Sequence, residues 1–328
     1  MDFRTPAELP LKQMEIRHSD KMMLWGSCFV EEIGHRLTAY KFPITVNPFG
    51  VLYNPWSMAE AMNVLLAGRQ YRSDELFYSN GLWNSWMHHS SFSSTDRAAC
   101  LAQINRRLQD AFSVLPQIDV LLCTFGSAWV YELKESGRVV GNCHKQPDVL
   151  FRRRLLEVDE IVRRMVSVID GMRALNPKIR ILFTVSPVRH GRDGMHGNQV
   201  GKATLLLAVD KMQKQREDCY YFPSYEIMMD ELRDYRFYAD DMLHPSSLAI
   251  DYIWDCFQRC YFSASTLGVM RQWQEIAKRL NHQPFHSHTA AYRRFVNETV
   301  LKLNRFGENF PYVDLKKEIE QCRIQLKV

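Results

Sequence analysis

The sequence predicts an α/β fold, a three-layer α/β/α sandwich on a five-stranded parallel sheet with a helical extension at its carboxyl end. Three observations predict it. Five short, mainly apolar runs recur along the chain, each followed by turn chemistry and then by a segment of helical periodicity. Such runs read as strands buried on both faces, and the helices between them make the sheet parallel. A length of 328 residues exceeds one average domain and suits one large α/β core with an appendage. Residues 264–328 carry no strand-like run and instead repeat apolar residues at helical spacing.

The elements follow in order. Met22 to Trp25 is the first strand, and the helix after it carries Phe29, Val30, Ile33, Leu37 and Tyr40 on one stripe, with Glu31, Glu32, His35 and Arg36 mostly away from it. Phe42 to Val46 is the second strand. The stretch before the third strand is too long for a simple crossover, and Asn80-Gly81 between Leu76-Phe77-Tyr78 and Leu82-Trp83 signals a two-residue hairpin. Val120 to Phe125 is the third strand. A second excursion follows it, through Trp129–Leu133, the turn Glu135-Ser136-Gly137, and Val139-Val140-Gly141-Asn142. A helix from about Leu155 to Leu175 ends near Asn176-Pro177 and leads into the fourth strand, Ile179 to Val185. A helix over Lys202–Arg216, a strand over Tyr220–Phe222 and a helix over Ser247–Phe262 complete the sandwich. Both excursions lie at the carboxyl edge of the sheet, where open α/β sheets place ligands. The extension shows two stripes, Met270, Trp273, Ile276 and Leu280, then Tyr292, Phe295, Val296, Val300 and Leu303. The chain thus divides into a sandwich over 1–262 and a helical extension, 263–328, packed on it.

Composition narrows the class. Hydrophobic residues at 46% and charged residues at 24% exclude a disordered, collagenous or coiled-coil chain. A net charge of +5 is mild, and its densest run, Arg152-Arg153-Arg154, reads as a solvated helix face rather than a nucleic-acid patch, so no nucleic-acid partner is expected. Eight cysteines form no Cys-x-x-Cys pair, and several lie in apolar runs as small hydrophobes, which suits a reducing compartment. Neither a leader nor an apolar run of about 20 residues is evident, so a soluble, cytoplasmic protein with no membrane partner is expected. His286 and His288 have metal-site spacing but no accompanying carboxylate or cysteine, and read as part of a capping loop.

Two spots carry possible chemistry. In Leu24-Trp25-Gly26-Ser27-Cys28-Phe29, Ser27 follows glycine at a strand-to-helix turn, where unpaired N–H groups and the helix dipole favour an oxyanion. Ser27 equally suits a plain N-cap. Cys28 is a rival nucleophile that needs a lowered pKa and a histidine partner. The second spot is Asp240-Asp241-Met242-Leu243-His244-Pro245-Ser246, where one turn can hold the Asp241 carboxylate against the His244 imidazole and so orient a base. The alternative is that Asp241 or Ser246 caps the last helix and His244 merely packs. His88-His89 point to opposite sides of a strand and are poor joint ligands, although one can line a cleft. Ser186-Pro187-Val188-Arg189-His190 ends the fourth strand at the same edge, as an ordinary turn or as part of the site.

Gly26-Ser27-Cys28-Phe29, followed by Val30 where the family name has alanine, resembles the motif of the GSCFA family, which belongs to the SGNH (GDSL-like) hydrolases. Asn47-Pro48-Phe49-Gly50, His88-His89-Ser90, Asn142-Cys143-His144-Lys145, Ser186-Pro187-Val188 and Asp241–Pro245 resemble it too, over nearly the whole chain. The resemblance implies an SGNH/flavodoxin-like sandwich and a serine hydrolase. Ser27 would be the nucleophile, with its own N–H in the oxyanion hole. Gly50 would match the second block and supply the next oxyanion N–H. Asp241 and His244 would complete the triad. The third block departs from the pattern: Gly126-Ser127-Ala128-Trp129 offers no asparagine, and Asn142 is the candidate replacement, with His144 and Lys145 beside it and His89 as a further substrate-binding residue. The implied reaction is ester hydrolysis through an acyl-enzyme on Ser27 with His244 as base, on a small-molecule or saccharide O-acyl or O-acetyl ester. Such chemistry requires no metal or organic cofactor. The rival readings are a ligand-binding protein that has lost turnover and a Cys28-dependent hydrolase.

Overall fold

The computed structural model describes residues 5–11, 13–286 and 288–327. Met1–Arg4, part of the stretch read for a leader, and Ser287, inside the histidine loop, lie outside the described residues.

The chain runs β1 (Met22–Gly26), α1 (Cys28–Ala39), β2 (Ile44–Val46), α2 (Pro55–Leu66), the hairpin β3 (Phe77–Ser79) and β4 (Leu82–Asn84), and α3 (Arg97–Val114). It continues through β5 (Val120–Phe125), β6 (Trp129–Leu133), β7 (Val139–Val140), β8 (Phe151–Leu155), α4 (Val158–Leu175), β9 (Arg180–Val185) and α5 (Gly194–Gln215). Then come β10 (Cys219–Phe222), the one-turn α6 (Ser224–Glu226), α7 (Ser247–Tyr261), α8 (Ala264–Leu280), α9 (Ala290–Asn309) and α10 (Lys316–Lys327).

Five of these strands form the parallel central sheet in the order β10-β9-β5-β1-β2. Read in chain order, this is the doubly wound 2-1-3-4-5 arrangement, whose switch point lies between β1 and β5. Alternation along the strands sends side chains into two separate cores. Met23, Trp25, Leu121, Cys123 and Phe125 pack under α2, α3, α4 and α5. Met22, Leu24, Val120 and Leu122 pack under α1 and α7. Helix α1 buries the expected stripe through Phe29, Val30, Ile33 and Leu37, each contributing about 1.5–3 kcal/mol of apolar burial. A third apolar cluster holds α8, α9 and α10 together, and Trp273 Nε1 donates to Ala39 O at 2.7 Å to dock it on the sandwich. Among the described residues no helix is long and apolar enough to cross a membrane.

Three stretches differ from expectation. Between β2 and β5 the chain forms two further helices, α2 and α3, around the expected hairpin, in which Asn80 and Gly81 both take positive φ (51° and 79°). Helix α5 begins at Gly194, a full two turns before the expected Lys202. Arg152-Arg153-Arg154 lies on strand β8 rather than on a helix face, paired antiparallel with β6. Strand alternation explains the run: Arg152 and Arg154 both pair with the buried Glu132 of β6, while Arg153 turns the other way to Asp193 at 2.7 Å. Burial opposes charge on Glu132, but the hydrogen bonds from Arg152 and Arg154 hold its carboxyl below the ordinary range.

Candidate functional site

The carboxyl ends of β1 and β5 meet at the switch point, and Ser27 stands there. Gly26 takes φ +145°, and a Cβ on it would lie 2.3 Å from Thr124 O, so only glycine lets β1 turn this closely over β5. Gly26 N donates to Asn47 Oδ1 at 2.9 Å, and Gly26 O accepts from Leu52 N at 3.1 Å. The turn is therefore clamped by the loop after β2. Ser27 occupies the N-cap position of α1, yet its side chain makes no capping hydrogen bond. Its Oγ is buried and has no hydrogen-bond partner among the described residues. Cys28 beside it is half-buried, and burial pushes its thiol above the ordinary value, against the lowering pull of the Phe29 N–H. A thiol held protonated in this way is a poor nucleophile.

Asp241 and His244 come together as one turn. Asp241 Oδ1 accepts from Leu243 N and His244 N, both at 2.9 Å, and its Oδ2 lies 2.6 Å from His244 Nδ1. The two N–H groups, then the imidazole, hold the Asp241 carboxyl down to about 2. Ser246, not Asp241, caps α7, accepting from Ala249 N at 3.3 Å. The loop is fastened to the exit of β9 by Arg189 N donating to Leu243 O at 3.0 Å. His244 nonetheless remains 49% exposed.

Ser27 and His244 line one cavity of about 550 Å³. Among the described residues no hydrogen bond joins them. Asn142, Lys145 and His89 border the same cavity. Asn142 Nδ2 donates to Ser90 Oγ at 3.3 Å, and His89 Nδ1 accepts from Ser91 N at the same distance. Two expected residues are elsewhere. Gly50 borders a separate depression, and its N–H closes a turn on Asn47 O at 2.8 Å, so it faces no oxyanion at Ser27. His144 is buried under Phe77 and Trp86, with Nε2 2.8 Å from Ser85 O, and lies off the cavity wall. His88 is a core residue stacked on Phe49 at 4.5 Å, and burial pushes it down to about 3. His286 gives its carbonyl to Thr289, which caps α9. Among the described residues no cluster of His, Cys, Asp or Glu is placed to hold a metal ion.

Asn54, Tyr53 and Lys202, on or behind the cavity wall, carried no functional reading in the sequence, and His190 had one only as part of the Ser186–His190 segment. Asn54, on the cavity wall, caps α2 through Oδ1, which accepts from Ser57 N at 2.7 Å. Tyr53 turns its carbonyl to both Gly126 N (2.8 Å) and Ser127 N (2.9 Å). Burial, and then Lys202, push His190 down to about 4. Lys202 of α5 is fully buried, with Nζ donating at 2.7 Å to both Gly126 O and Ser186 O. Only the Asn54-Pro55 pair, a cap followed by proline at the first helical position, was a readable signal.

Fold and site together define a doubly wound α/β protein with a serine at the switch point and an aspartate-held histidine across the same cavity. The chain belongs to the GSCFA family: that family's model matches residues 21–257, and the GSCFA domain protein, C-terminal domain, matches 273–328. No curated protein matches the chain. Among solved structures it is similar to a carbohydrate esterase family 3 from Talaromyces cellulolyticus, at 11% identity over 78% of this chain and 99% of that one, TM-score 0.35. A Clostridium thermocellum family 3 carbohydrate esterase gives 11% identity over 77% and 98%, also with TM-score 0.35. An acetyl xylan esterase (Est2A) from Butyrivibrio proteoclasticus gives 12% identity over 63% and 56%, TM-score 0.27.

Proposed function

We propose that this protein is a serine esterase that cleaves small or saccharide O-acyl esters through an acyl-enzyme on Ser27. The observation that carries the reading is the buried Ser27 Oγ at the start of α1, without a hydrogen-bond partner among the described residues, in one cavity with a histidine whose Nδ1 is held by a carboxylate. A serine used only as a cap would accept through its Oγ from an N–H of the first turn, and this Oγ does not. In the proposed reaction His244 Nε2 takes the Ser27 proton as Oγ attacks the ester carbonyl, while Asp241 fixes the tautomer and stabilises the imidazolium. The oxyanion is received by the Ser27 N–H and the Asn54 amide, with Asn142 as a further carboxamide lining the same cavity. The alcohol leaves with the proton, and water attacks the acyl-enzyme through the same base.

The cavity volume suits a small ligand, and the rings of Tyr53, Trp129 and Tyr131 on its wall suit the apolar faces of a sugar. An O-acetyl group on a saccharide is therefore the substrate class we favour. All eight cysteines are free, which supports a reducing compartment such as the cytoplasm. The test is a fluorophosphonate probe with the modified residue located by peptide mass. Labelling of Ser27 is expected. Labelling elsewhere, or none, would overturn the assignment.

A second reading has one observation in its favour: Ser27 and His244 are not hydrogen-bonded, as in a scaffold that binds ligands without turnover. The same probe separates the two, since only an activated serine reacts. Iodoacetamide inhibition together with an active Ser27→Ala variant would instead favour Cys28, against the raised thiol.

A further inference from the structure

Lys202 is the one lysine among the described residues buried to 1% exposure, and no carboxylate pairs with it. A buried ammonium is costly unless its donors are satisfied. Here two strand-end carbonyls, Gly126 O after β5 and Ser186 O after β9, satisfy them at 2.7 Å, and the Tyr225 ring lies 5.4 Å from Nζ. The first carbonyl belongs to the loop beside Ser27, the second to the loop that carries His190 on the cavity wall.

The Gly126 turn stands where the third-block asparagine is missing. It is gripped from both sides. Its N–H and that of Ser127 go to Tyr53 O, and its carbonyl goes to Lys202. It also abuts the nucleophile: a Cβ on Gly126 would lie 3.4 Å from Ser27 Cβ, 3.3 Å from His190 Nε2 and 3.1 Å from Tyr53 O. On the other loop, Ser186 Oγ accepts from Val188 N at 3.3 Å, and the chain continues to His190 on the cavity wall. Lys202 thus ties together the floor under Ser27 and the loop carrying His190. Burial pulls Lys202 itself down to about 7, so what it brings to the site near neutral pH is its two donated hydrogen bonds rather than a fixed charge.

We propose that Lys202 is a positioning residue for the Ser27 site, holding the Gly126 and Ser186 carbonyls so that the turn beside the nucleophile keeps its shape. The inference rests on the serine-esterase reading. A strut that served only the fold would affect stability and leave the reactivity of the folded protein intact. A positioning role lowers kcat and the intrinsic reactivity of Ser27 while leaving substrate affinity in place.

The experiment uses the full chain with Lys202→Met, which fills the space without charge, and Lys202→Gln, which keeps a donor without charge. The readouts are kcat and KM on a short-chain aryl ester, the rate of fluorophosphonate labelling at Ser27, and thermal melting. In either folded variant, kcat and labelling rate are expected to fall about 10²-fold with KM within about twofold. Unchanged kcat and labelling in a folded variant overturn the proposal, and failure of both variants to fold does so too, marking Lys202 as a strut. If wild-type Ser27 itself does not label, the esterase reading fails and takes this inference with it. Wild-type labelling with an unaffected variant defeats the Lys202 role alone.

Discussion

The two walls of the cavity are built differently. Ser27 stands on the core: it follows a central strand, is 1% exposed, and is fixed by Gly26 against Thr124, by Asn47 through Gly26 N, and by Gly126 against its own Cβ. His244 stands on a surface turn, half exposed, held by Asp241, by Ala239 N donating to His244 O and by Arg189 N donating to Leu243 O. The nucleophile is therefore placed by packing and the base by local hydrogen bonds. Of the two, the base is the partner with freedom to adjust when substrate enters, and catalytic hydrogen bonds are commonly long in the absence of substrate.

The largest expected effect breaks the buried wall chemically. Ser27→Ala should lower kcat on an aryl acetate by at least about 10³-fold with the melting temperature little changed. Retained activity in that variant would sink the assignment. Next, Asp241→Asn should lower kcat by about 10²-fold or more by loosening the His244 tautomer, with little effect on stability because the carboxylate is exposed. Steady-state kinetics beside urea unfolding distinguishes this from a folding defect.

Backbone changes sharpen the contrast. Gly26→Ala forces a Cβ onto Thr124 O and should destabilise by about 2 kcal/mol or more, read from urea denaturation. Met242→Gly, in the base loop, removes a side chain held at φ 58° and should change stability by less than about 1 kcal/mol. Equal effects from the two would contradict the division into a packed wall and a local one.

The smallest effect is a pH slope. Burial keeps His88 neutral down to about 3 and His190 down to about 4, whereas both would bind a proton below about 6.5 in the unfolded chain. The unfolded state then holds more protons, so stability is full above about pH 6.5 and declines as pH falls toward those lower values. His88→Asn should flatten the dependence of melting temperature on pH between 6.5 and 4. Asp241, held down to about 2, adds its own loss only as pH falls below about 5, where the unfolded carboxylate begins to take up a proton.

Much of this was legible in the residues. The five strands read from apolar runs all lie in the sheet, because strands buried on both faces leave no polar alternation to confuse them. The Asp241–His244 pair was legible because three residues of spacing and one turn suffice to join them. Other features depended on distant chain. Arg152-Arg153-Arg154 carries no sign that Glu132 and Asp193 await it on alternate sides, so a strand looked like a helix face. Gly50 has the expected place in sequence, yet its N–H is taken by Asn47 three residues earlier, which a motif does not reveal. Lys202 looked like one more polar residue on a helix, and His144 like a neighbour of Asn142, until packing buried both.

By itself the sequence determined the α/β class, the strand-to-helix turn that presents Ser27, and the local turn that sets His244 on Asp241. Each depends on periodicity or on residues within a few positions of one another. Tertiary structure alone decided that both open into one cavity, that Asn54 rather than Gly50 borders it, and that Lys202 lies beneath it. Those outcomes depend on strand order and on which buried polar groups meet across the sheet, and residues far apart in the chain come together only when the core closes around them.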